Sequence, residues 1–142
     1  QCLKHLILAS EGYLARMERV IGAYNQNKIA SKKYSPTISG KIMFFMVDPS
    51  IRVPIPAPKA FTPKHEQRFT KEIIQDYQDL IASIARQLEA AKEQDWNKIK
   101  VTSPLTSLLV FNLGDVFEIL TLHSARHLKQ SQKVISNEAF PA

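Results

Sequence analysis

Five of the chain's eight prolines fall between positions 49 and 63, at Pro49, Pro54, Pro56, Pro58 and Pro63. Proline has no backbone N–H to donate, and it pushes the residue before it toward extended conformations. Neither a helix nor a central strand can run through such a segment. It reads as a long irregular crossover, of the kind that runs over a surface or across a site. The elements on either side must be placed so that it can span them.

Those elements have helical periodicity. Leu3, Leu6, Ile7, Leu14, Met17, Val20 and Ile21 recur at steps of three and four, which predicts a helix over residues 1–25, with Asn25 and Asn27 as stop signals. Residues 41–47 are a short apolar piece that fits a helix better than an extended strand. Thr62-Pro63 has the form of a cap followed by a first-turn proline. From there Phe69, Ile73, Tyr77, Leu80, Ile84, Leu88 and Ala91 mark the seam of a long helix to about residue 95. Asn112 followed three residues later by Asp115 resembles a capping box, and predicts a last helix over residues 113–135. Residues 101–111 read equally as extended or helical, and no strand alternation is convincing. The expected class is all-α: antiparallel helices joined by one long crossover and one short connection.

The chain has 142 residues, enough for one domain with a proper core. Its hydrophobic fraction of 44% excludes bulk disorder. A single cysteine, Cys2, excludes an internal disulfide framework and favours a reducing, cytoplasmic setting. The longest apolar runs, at 6–9, 42–47 and 108–111, are far shorter than a membrane span needs. Residues 26–68 carry eight lysines and arginines against two acids, which accounts for the whole net charge of +6. These charges are broken up by prolines and apolar residues, and no nucleic-acid motif accompanies them. A solvated basic loop is the expectation, with neither nucleic acid nor membrane as a partner.

Chemistry concentrates in histidine. His123 and His127 stand at i and i+4 on the last helix, so they project from one face, one turn apart. Val116, Ile119, Leu120, Gln130 and Val134 share that face, so the two imidazoles point into the bundle. Burying two unsatisfied imidazoles is costly; a shared metal ion would satisfy both, as would hydrogen bonds to backbone or other helices. A third ligand would come from His5 or His65, with Cys2 as a thiolate alternative. His65 lies among Lys64, Glu66, Gln67 and Arg68, which favours solvent. His5 lies off the centre of its helix's apolar stripe, so periodicity alone does not bring it to the bundle axis. Glu118 is out of phase with His123, and nothing resembles a nucleophilic triad, a phosphate loop or a di-iron carboxylate site. Arg126 falls near the histidine face, where it would meet either a substrate or a structural partner. Gln130, one turn beyond His127, could orient a ligand.

The stretch His123-Ser124-Ala125-Arg126-His127-Leu128-Lys129-Gln130 resembles the closing motif of DinB-like proteins. Cys2-Leu3-Lys4-His5-Leu6-Ile7-Leu8-Ala9 is similar to that family's first-histidine helix. Arg52-Val53-Pro54-Ile55-Pro56-Ala57-Pro58 with Phe61-Thr62-Pro63 is similar to the proline-rich crossover of one branch. The resemblance implies a DinB-like four-helix bundle with the long crossover between its second and third helices. It also implies one domain over residues 1–142 that lacks the family's opening helix. The metal ligands would be His5, His123 and His127, holding a divalent ion such as zinc, nickel or iron. Related proteins include thiol transferases that use low-molecular-weight thiols. The expectation is therefore a bacterial, metal-dependent protein that acts on a small-molecule substrate by thiol transfer or hydrolase-like chemistry. A low-molecular-weight thiol is a further cofactor to expect, and a homodimer is compatible with it. The alternative is a non-enzymatic metal-binding stress-response or interaction module.

Overall fold

The computed structural model describes residues 2–24, 33–51, 56–63 and 70–137. Four helices dominate: α1 (Cys2–Ala23), α2 (Ile38–Val47), α3 (Glu72–Ala91) and α4 (Leu113–Ile135). A 3-10 turn at Lys59–Phe61 sits in the proline-rich crossover between α2 and α3. Between α3 and α4 two three-residue strands, β1 (Lys100–Thr102) and β2 (Val110–Asn112), pair antiparallel. Their register sets Lys100 opposite Asn112, Val101 opposite Phe111 and Thr102 opposite Val110. The all-α expectation holds for the bundle, with this small ladder as an addition.

Helix α1 is the central element and packs against both α3 and α4, while α2 packs on α4. The core forms where they meet: Met17, Val101, Phe111, Leu113 and Val116 have no exposed surface. The ladder belongs to that core. Phe111 and Val101 face inward as a cross-strand pair, and the Leu113 N–H donates to the carbonyls of Trp96 and Ile99. Residues 101–111 show no alternation because only three residues per strand pair, too few for a pattern with period two to declare itself.

Three sequence expectations change. The long helix begins at Glu72, and Thr62 instead closes the 3-10 turn, its hydroxyl donating to the Pro58 carbonyl. The predicted seam of α3 is buried at Leu80 and Ala91 and half-buried at Ile73, Tyr77 and Ile84, but Leu88 is exposed, as are Ile74 and Ile81. On α4, Val134 is likewise exposed. Asn25, Asn27, His65 and Phe69, together with the Arg52–Ile55 portion of the crossover, lie outside the described residues.

The capping box at the start of α4 is present as predicted, and it does more than cap. Asn112 Oδ1 accepts from the Asp115 N–H at 2.8 Å, and Asp115 Oδ2 accepts from the Asn112 N–H at 3.1 Å. The same carboxylate accepts from the Tyr34 hydroxyl at 2.8 Å, the Thr37 hydroxyl at 2.5 Å and the Thr37 N–H at 3.2 Å. Thr37 in turn caps α2 through the Gly40 N–H. One fully buried carboxylate thus fixes the starts of two helices. Two glycines make the approach possible: a Cβ at Gly40 would lie 2.4 Å from the Asp115 carboxyl, and one at Gly114 would lie 2.3 Å from the Tyr34 ring.

Candidate metal centre

His123 and His127 follow the buried Val116, Ile119 and Leu120 on one face of α4, directed at α1 and both partly buried. His5 reaches them from α1. It stands one turn before Ala9 and two before Tyr13, both buried, so this line of α1 faces α4 as well. The apolar stripe of α1 is wider than one packing partner requires, because two helices flank it. That is why His5 lies off the stripe's centre and still arrives at the site.

The three rings converge. Nε2 of His123 is 3.2 Å from Nε2 of His5 and 3.1 Å from Nε2 of His127. Ring centroids are separated by 4.7 to 5.1 Å. Two nitrogens bound to one zinc at about 2.0–2.1 Å and a near-tetrahedral angle sit ~3.3 Å apart, close to the observed spacing. Among the described residues His5, His123 and His127 form the one group of three or more histidine, cysteine or acidic residues close enough to share an ion. Cys2 and Glu118 are not in it.

Proton bookkeeping favours a cation at the centre. The Phe61 carbonyl accepts from His5 Nδ1 at 2.8 Å, so that nitrogen carries the proton, and Nε2 of the neutral ring presents a lone pair to His123. Nε2 of His123 has one site, either a proton or a lone pair, for two neighbours. With all rings neutral, one proton cannot serve both close contacts well. A divalent ion accepts all three lone pairs at once.

Protonation is the other way out, and the surroundings oppose it. Burial is the largest influence holding His123 down to about 3, followed by the neighbouring His127, His5 and Arg126. Burial again leads in holding His127 down to about 4, with His5 next; Gln130 pulls weakly the other way. Nδ1 of His127 is buried and makes no well-formed hydrogen bond, and Gln130, one turn on, is the side chain close to it. Metal-bound histidines usually donate their second nitrogen to an acceptor; Phe61 does this for His5.

The crossover thus takes part in the site. Its end supplies the Phe61 carbonyl. Its beginning is held by Arg126, whose Nη1 donates to the carbonyls of Asp48 at 2.8 Å and Ile51 at 2.9 Å, and by Lys129 on the Pro49 carbonyl at 3.1 Å. Of the two roles open to Arg126 in the sequence, the structural one is filled. Beside the histidines lies a cleft of about 210 Å3, lined also by Tyr13, Met43, Met46, Phe61 and Gln130.

A family model described as the DinB superfamily matches residues 1–131. The chain belongs to the DinB superfamily. No curated protein and no solved structure matches it. The superfamily match spans α1 through most of α4, and so includes all three histidines and the crossover. Among the described residues no helix is long and apolar enough to cross a membrane.

Proposed function

We propose that this DinB-superfamily chain is a metal-dependent enzyme acting on small molecules, with His5, His123 and His127 as the ligands of one divalent ion. The observation that carries this reading is the convergence of three imidazoles, with the His123 and His127 rings held neutral by burial. A bound ion would supply Lewis acidity, lowering the pKa of a water or thiol near neutral pH. Three protein ligands leave coordination positions open, as catalytic sites do, whereas a structural zinc site is usually closed by a fourth. The adjoining cleft gives a substrate access to those positions and favours an enzyme over a structural strut.

The chain's own residues have separate tasks. Phe61 fixes the His5 tautomer so that Nε2 presents a free lone pair. Burial by α1 and α4 keeps His123 and His127 unprotonated at working pH. Arg126 and Lys129 hold the start of the crossover against α4. The reaction class is thiol transfer or hydrolysis.

Elemental analysis of untagged protein at about neutral pH tests the site. About one equivalent of zinc, nickel or iron in the wild type is expected, and its loss in His5→Ala and His123→Ala with the helical circular dichroism retained. Equal metal content in wild type and both variants would refute the ligand assignment. Zinc-loaded protein assayed with a thiol plus an aryl halide, and separately with an aryl ester, then distinguishes transfer from hydrolysis.

A further inference from the structure

The walls of the cleft are largely apolar. Beyond the three histidines it is lined by Ala9, Met43, Met46, Val47, Phe61 and Leu105, among other apolar residues. Among the described residues that line it there is no lysine and no carboxylate. Arg126 is the single charged residue among them, and its guanidinium keeps its positive charge while bonded to the neutral carbonyls of Asp48 and Ile51. Burial raises the pKa of Tyr13, so its phenol stays neutral. At the mouth Met46 and Leu105 line the cleft and are 37% and 45% exposed, beside the uncharged Gln130.

A cationic ligand entering such a space gives up its hydration, meets no carboxylate among the described lining residues and faces the positive charge of Arg126. An uncharged one gives up little and gains contact with two methionines, whose flexible, polarizable side chains adapt to an irregular shape. Size narrows the choice. An apolar cavity of about 150 Å3 accommodates benzene, and this cleft is about 210 Å3. We propose that the substrate is a largely apolar small molecule of about one ring with a short side chain, carrying no positive charge and presenting a single polar atom to the histidines. This rests on the reading of the three histidines as the reactive centre. It excludes a cationic small molecule as the occupant of the cleft.

The three methionines provide the test. Met43 and Met46 line the cleft, whereas Met17 is fully buried in the core away from it. Protein labelled with 13C at the methionine methyls is titrated with 2-phenylethanol, phenylacetate and phenethylamine, which share a ring and chain and differ in charge. The Met43 and Met46 methyls should shift with 2-phenylethanol and with phenylacetate at about tenfold lower concentration, or less, than with phenethylamine, while Met17 stays in place. The proposal is overturned if phenethylamine acts at a concentration equal to or lower than that of either other probe. It is equally overturned if no probe moves the two cleft methyls, or if all three methyls move together. Metal content is measured on the same samples, before and after chelation. A protein that holds no metal but shows the expected methyl shifts refutes the metal reading alone; one that holds metal without those shifts refutes only the substrate class.

Discussion

Protonating His123 or His127 places a charge where burial and a neighbouring imidazole both oppose it. In the unfolded chain both rings titrate near 6.5; folded, they are held to about 3 and about 4. As pH falls, the unfolded chain therefore takes up protons first, and stability rises with pH over that interval. The metal-free protein should show a thermal midpoint that is flat above about pH 7 and falls from about 6.5 toward 4. His123→Gln should flatten that slope, and an equal slope in both would place the titration elsewhere. Asp115 sets a second expectation. Asp115→Ala leaves the Tyr34 and Thr37 hydroxyls and two backbone N–H groups without their acceptor, so it should cost more than about 3 kcal/mol in denaturant unfolding. Gly114→Ala should cost about 1–3 kcal/mol through the Tyr34 ring, and much less in a Tyr34→Ala background. At this scale, local spacing was informative. His123 with His127, and Asn112 with Asp115, are pairs within one helical turn, and both were legible. His5 acquires its orientation from Phe61, 56 residues away, and Arg126 finds its carbonyls more than 70 residues away. No local pattern encodes either partner.

The helices differ in how well their sequences reported them. Helices α1 and α4 were legible nearly to the residue, since each buries a broad face and α4 carries a cap. Helix α3 was legible as a helix but not in its burial: Ile74, Ile81 and Leu88 repeat every seven residues and stay exposed, while Leu80 is buried. Periodicity shows that a face is apolar, and the packing partners decide how much of that face is covered. Ile81→Gln should therefore change stability by less than about 0.5 kcal/mol, whereas Leu80→Ala should cost about 2–4 kcal/mol, as read by the denaturation midpoint. The β1–β2 ladder was not legible, because its pairing is held by register and by the Leu113 bonds to Trp96 and Ile99. The crossover was legible as irregular. Its contribution to the site through a backbone carbonyl was not, because any residue could supply that group.

Among the described residues, one apolar core and one histidine cluster meet at the α1–α4 contact. The class and the family pattern were readable from the chain, while the cleft was not, since its walls come from segments scattered from Ala9 to Gln130. Binding an ion to the folded state alone stabilises it by mass action. Addition of zinc should raise the thermal midpoint of the wild type and leave that of His127→Ala unchanged. His5 and His123 stand 118 positions apart, so an ion between them would join nearly the two ends of the described chain into a single ring. Such a ring does not depend on continuity of the chain in between. If the backbone were cut within the crossover, one fragment would keep α1, α2 and His5, and the other would keep α3, α4 and the remaining two histidines. The two pieces would then be partners in a complex whose dissociation constant falls as zinc rises, and intramolecular stability would become measurable as the affinity between two halves.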